Sequence, residues 1–129
     1  MKGSALLIIL LLVFSCTKPT EIENFDSSTW KIDKNGCQQK RIKMISLLQE
    51  VQFELNGMKE ASIKSVLGKP DKTELYERGQ RFFIYDITPD PECIENYQGE
   101  EIDLILRLNA LGIVSEANIQ AYEEMNFNQ

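Results

Sequence analysis

The sequence predicts an α+β fold: two N-terminal helices packed on one face of a four-stranded antiparallel meander, a two-layer sandwich. Apolar residues recur at helical spacing from residue 38 to residue 67, and from residue 72 onward they recur at every second position. A run of helices followed by a run of strands, without alternation, is the pattern of an α+β layer architecture. The chain has 129 residues, 43% of them hydrophobic and 26% charged, which suits one globular domain.

The chain begins with one cation, Lys2, ahead of ten apolar residues from Ala5 to Phe14, and Ser15 then stands before Cys16. Charge, short apolar run and small residue in that order are the parts of an export signal, expected over residues 1–15. The run is about half of the roughly 20 apolar residues that cross a bilayer, so removal is expected and not membrane crossing. Residues 16–24 carry Pro, polar and charged side chains without an apolar period and predict a mobile tether. A single domain is expected over residues 25–129. Phe25, Trp30 and Ile32 should dock its leading segment, and Asn35-Gly36 marks a turn before Cys37.

Across residues 38–56, Ile42, Ile45, Leu48, Val51, Phe53 and Leu55 keep roughly helical spacing, with Met44 and Leu47 widening the stripe. This predicts one amphipathic helix of about four to five turns, stopped by Asn56-Gly57. A second helix is expected from Glu60 to Leu67, with Ile63, Val66 and Leu67 on one side. Gly68 supplies its C-terminal cap and Pro70 prevents continuation.

Residues 72–78 and 80–87 are β-rich and separated by Gly79, which predicts a hairpin. Phe83, Tyr85 and Ile87 share one face of its second strand and Phe82 and Ile84 the other, so that strand should be central. Residues 88–100, with Pro89-Asp90-Pro91 and Gly99, form a long loop containing Cys93. Ile102, Leu104, Leu106 and Leu108 then alternate with Asp103, Ile105, Arg107 and Asn109, which puts one face in the core. A turn at Asn109-Ala110-Leu111-Gly112 leads to a last strand over residues 113–119, with Ile113, Ala117 and Ile119 in phase. Residues 120–129 add a short helix or a frayed end.

The chain has no His, which removes Ser-His-Asp triads, Cys-His dyads and His-ligated metals together. With 14 Lys and Arg against 20 Asp and Glu, the net charge of −6 offers no electrostatic basis for binding nucleic acid. Cys37 or Cys93 as a nucleophile would lack a base to activate it. Ser62 and Ser65 beside Lys64 and Lys69 fit a solvated helix surface as well as a Ser-Lys pair. The richest acidic region holds Asp86, Asp90, Glu92, Glu95, Glu100, Glu101 and Asp103; its spacing matches no calcium loop, and a solvated rim is expected there. The chain is therefore expected to be no enzyme, with no catalytic residue, metal, cofactor or small-molecule substrate. Trp30, Tyr76, Arg78 and Phe82 are candidates for a partner-binding patch, since interfaces favour aromatic residues and Arg; core packing of the aromatics is the alternative.

Val13-Phe14-Ser15-Cys16 resembles the lipobox of bacterial lipoproteins. That resemblance implies acylation of the Cys16 sulfur, cleavage between Ser15 and Cys16, and acylation of the new amino group. The alternative is an ordinary signal peptide with a chance Cys nearby. Thr17 is not the acidic residue that retains some lipoproteins at the inner membrane, so the resemblance favours a lipid anchor in the outer membrane. If Cys16 carries lipid, Cys37 and Cys93 remain as a pair for a disulfide in an oxidising compartment, with two free thiols as the alternative.

The block Asn56-Gly57-Met58 … Ile63 … Val66-Leu67-Gly68-Lys69-Pro70-Asp71, followed by Phe83-Ile84-Tyr85-Asp86 and later Gly112-Ile113-Val114, resembles the small lipoproteins of the SmpA/OmlA/BamE type. These belong to the machinery that assembles outer-membrane barrels. The resemblance covers roughly residues 55–119 and implies a non-catalytic module binding an envelope protein. Lys59 stands where that family usually has a capping Ser or Thr, so the second helix must be capped otherwise. Secreted β-lactamase inhibitor proteins use a related fold, which implies the alternative of an inhibitor or accessory domain for an envelope enzyme.

Overall fold

The computed structural model describes residues 20–121. The expected export signal, the expected acylation of Cys16 and the chain end past residue 121 lie outside the described residues. Within them stand three α-helices, α1 (Ser27–Ile32), α2 (Ile45–Val51) and α3 (Glu60–Leu67), and four strands, β1 (Lys72–Leu75), β2 (Arg81–Asp86), β3 (Ile102–Leu108) and β4 (Val114–Ala121). The strands pair antiparallel in chain order, β1-β2-β3-β4, so the class is α+β and the sheet is the predicted meander with β2 inside it.

The chain docks earlier than the sequence predicts. Ile22 is buried in the core and the Thr20 hydroxyl donates to Ser62 Oγ at 3.2 Å, so the stretch expected to be a tether docks at these two residues while Glu21, Glu23 and Asn24 stay exposed. Helix α1, which apolar periodicity does not reveal, starts at Asp26, whose carboxylate accepts from the Thr29 amide at 3.0 Å and from its hydroxyl at 2.6 Å. That satisfies donors a first helical turn leaves open. Phe25 and Trp30 dock as expected, whereas Ile32 is 56% exposed.

The single long helix expected over residues 38–56 is instead three short pieces: a 3₁₀ turn at Ile42–Met44, then α2, then a 3₁₀ turn at Gln52–Leu55. The backbone opens at Met44 (φ −94°, ψ 0°) and Val51 (φ −97°, ψ −7°), and no side chain caps any of the three. The re-phasing leaves Leu48, Val51 and Leu55 buried but turns Phe53 out to 70% exposure.

Helix α3 has the predicted bounds and buries Ile63, Val66 and Leu67. Its start is capped from a distance. The Glu60 amide donates to the Gly112 carbonyl at 2.9 Å, and Lys59 bridges to Ile113, so the β3–β4 turn does what a capping Ser or Thr would do.

In the sheet, Phe83, Tyr85, Ile87, Leu104, Leu106 and Leu108 join the helices in one core cluster. The last strand keeps Ala117 and Ile119 on the core side as predicted, but not Ile113. Leu108 pairs with Val114 while Arg107 pairs with Glu116, so Ser115 is an extra residue, and its hydroxyl donates to the Arg107 carbonyl at 3.1 Å. This bulge places Val114 and not Ile113 in the core, with Ala117 following it.

Candidate functional site

Two carboxylates organise the approach to the sheet. Asp33, fully buried, accepts the amides of Gln38 at 2.7 Å, Lys40 at 2.8 Å and Arg41 at 2.9 Å, folding the chain back on itself after α1. The turn delivers Arg41 to the interior, where its guanidinium lies 4.7 Å from the centre of the Trp30 ring. Arg41 Nε donates to the Trp30 carbonyl at 3.0 Å, and Nη1 donates to Asp71 Oδ2 at 2.6 Å and to the Asp86 carbonyl at 2.9 Å. Asp71 also accepts the amides of Asn35 at 3.0 Å and Asp86 at 2.8 Å. A buried charge pair is tolerable when its remaining donors and acceptors are used, as they are here.

At the far end of β2, Asp86 faces Asp103 of β3 across the sheet. The Ile87 amide donates to the Ile102 carbonyl at 3.0 Å, so Ile87 and Ile102 form a hydrogen-bonded pair and Asp86 and Asp103 the adjacent non-hydrogen-bonded one. Side chains approach most closely at such a position. Both aspartates are buried, at 3% and 5% exposure. Lys72 Nζ lies 3.3 Å from Asp86 Oδ1 and 3.4 Å from Asp90 Oδ2. Asp86 Oδ2 is shielded from solvent and has no hydrogen-bond partner.

Burial pushes the Asp103 carboxyl up to about 7; the negative charge of Asp86 adds to this and Lys72 opposes it. Burial also raises Asp86, with Lys72 opposing and Asp71 adding. A cavity of about 200 Å³ adjoins the pair, walled by Lys72, Asp86, Asp90, Glu101 and Asp103 with the prolines of the loop. The expected solvated rim is thus half right: Glu92, Glu95, Glu100 and Glu101 are exposed, whereas Asp86 and Asp103 are inside.

The loop over this cavity is tied down. Cys37 and Cys93 form a disulfide with Cα atoms 5.6 Å apart, and the Asp90 amide donates to the Asn35 carbonyl at 2.9 Å. Gly36 makes the approach possible. Its φ is +64°, and a Cβ there would lie 2.6 Å from the Thr88 carbonyl oxygen.

Of the residues proposed for a partner surface, Tyr76 and Phe82 do come together, their rings packed edge to face at 5.6 Å with the Arg107 guanidinium 5.5 Å from the Tyr76 ring centre. Arg78 lies exposed in the turn of the same hairpin with φ +57°. Trp30 is corrected: it is 0% exposed, packed against Phe25, Tyr85 and Arg41, and so is a core residue and not part of a surface patch. Arg41 and Asp71 carry the buried network and were not singled out from the sequence. Arg41 falls four residues before Ile45 and seven before Leu48, a charge in the apolar stripe, which is the signal that could have found it.

No family model matches the chain, nor does any curated protein or any solved structure. Among the described residues, no helix is long and apolar enough to cross a membrane, and no group of three His, Cys, Asp or Glu residues is placed to hold a metal ion.

Proposed function

We propose that the chain is a lipid-anchored lipoprotein of the bacterial outer membrane whose domain is a non-catalytic module binding another envelope protein. The pairing of Cys37 with Cys93 is the observation that carries this reading. A disulfide persists in an oxidising compartment, and it leaves Cys16, directly after an apolar run and Ser15, as the odd thiol free to take lipid. The domain then hangs from Cys16 by a short linker that ends where Thr20 and Ile22 dock.

In this reading the domain is two-layered, with the helices over the face that carries Phe83, Tyr85 and Leu106. The hairpin corner with Tyr76, Arg78, Phe82 and Arg107 is the partner-facing surface, offering the aromatic and Arg chemistry that protein interfaces favour. The SmpA/OmlA/BamE-type resemblance points to a component of barrel assembly as the partner, and the inhibitor-like alternative to an envelope enzyme.

Metabolic labelling with a clickable fatty acid tests the anchor: the wild type should take label and partition with membranes, and Cys16→Ala should do neither. Labelling that survives Cys16→Ala overturns it. Crosslinking in intact cells tests the module. A crosslinked envelope protein that is lost on Tyr76→Ala and Phe82→Ala supports the reading; recovery of no partner, or of one indifferent to both changes, opposes it.

A further inference from the structure

The Asp86–Asp103 pair has a property that a solvated acidic rim lacks. Both carboxyls are buried on adjacent strands at a position of closest side-chain approach, and Asp86 Oδ2 is shielded from solvent and without a donor. The group the strand register places opposite Asp86, and so next to supply a donor, is the Asp103 carboxyl. Two ionised carboxylates side by side in a desolvated site repel, whereas one proton between them turns repulsion into a charge-assisted hydrogen bond.

We propose that Asp86 and Asp103 form a proton-operated clasp at the root of the Cys93 loop: one proton on Asp103, donated to Asp86 Oδ2, holds the β2 and β3 ends together, and its loss to solvent loosens them. The loop leaves the sheet at this point. The amides of Ile87 and Thr88 donate to the Ile102 carbonyl at 3.0 and 3.2 Å, and the Ile102 amide donates to the Thr88 hydroxyl at 2.9 Å. These three bonds are the first to feel a widening between residues 86 and 103. The far side of the loop stays fixed by the disulfide and by Asn35, so the motion is confined to the root and to the wall of the cavity.

The charged groups facing the pair set the sign. Lys72 of β1 favours ionisation of both aspartates; Asp71 before β1 and Asp90 of the loop oppose that of Asp86, and Glu101 before β3 opposes that of Asp103. Arg41 is bound to the Asp86 carbonyl and to Asp71. Burial and the neighbouring carboxylate outweigh Lys72 at Asp103, which places proton loss in the neutral range.

Carbon-13 NMR of the full-length chain between pH 4 and 9 tests this, with the Asp103 carboxyl assigned through its own backbone so that no variant is needed. The expected result is an Asp103 carboxyl titrating near pH 7, with the amide signals of Ile87, Thr88 and Ile102 shifting over the same range. Asp103→Asn, which keeps a donor and cannot ionise, should abolish those amide shifts. An Asp103 carboxyl that completes its titration below pH 5 overturns the proposal. So does one that titrates near 7 while the three amides stay still.

Discussion

Arg41 and Asp71 form the most enclosed ion pair among the described residues, 2.6 Å apart with side chains 1% and 4% exposed. They join segments that α1, α2 and the sheet bring from different parts of the chain. Removal of one partner leaves an uncompensated buried charge, which costs about 3–5 kcal/mol. Arg41→Ala should therefore lower the unfolding free energy by that amount in urea titration. A loss below about 1 kcal/mol would show that water or rearrangement replaces the guanidinium.

The buried acid pair makes stability depend on pH in the sense opposite to ordinary acid denaturation. Asp103 holds its proton more tightly folded than unfolded. The stabilisation is fully present below the ordinary carboxylate range, about 4, and is lost as pH rises to about 7. The melting temperature of the wild type should fall across that window, and the slope should flatten in Asp103→Asn. Glu60 acts the other way. Lys64 holds its carboxyl below the usual range, Arg81 adding to this and burial opposing, so its smaller contribution disappears as pH drops through the acid limb. Equal slopes in wild type and Asp103→Asn would rule out Asp103 as the source.

Gly36 and Gly57 both have positive φ, +64° and +83°, but only Gly36 is pressed against backbone. Gly57→Ala should cost backbone strain alone, about 1 kcal/mol. Gly36→Ala adds a clash with the Thr88 carbonyl and should cost distinctly more in thermal melts. Similar costs at the two positions would mean that the loop root moves aside freely.

Opening the disulfide frees a loop of 56 residues in the unfolded chain and should cost about 4 kcal/mol on the chain-entropy account. Thiol labelling followed by mass spectrometry should find Cys37 and Cys93 unreactive until reductant is added. Label on either in the unreduced protein contradicts the bond.

Elements whose apolar period is uninterrupted were legible in the sequence. Helix α3 and strands β2 and β3 follow directly from Ile63, Val66 and Leu67 and from the alternation of Leu104, Leu106 and Leu108. The rest turned on interactions that composition conceals. One inserted residue, Ser115, reversed the face assigned to Ile113, because strand phase carries no memory across a bulge. The segment over residues 38–56 held its apolar stripe but broke its backbone twice. Its Arg41 was drawn inward by Asp71 and Asp86, residues distant in the chain. At the candidate site, the Cys37–Cys93 pair was legible once the lipobox resemblance set Cys16 aside, and Tyr76 with Phe82 from residue type. The acid pair was not, since a run of Asp and Glu near a loop looks the same whether two of its members face water or each other.

The cap on α3 ties local structure to chain order. The Glu60 amide is satisfied by Gly112, a residue that follows three further strands. The first turn of α3 therefore has its Glu60 amide paired within the protein only when the β3–β4 turn is in place, which couples the start of the helix to the opposite end of the domain. Protection of the Glu60 amide from exchange should rise in step with that of Ile113 and Val114, making this one amide a reporter of the docked hairpin.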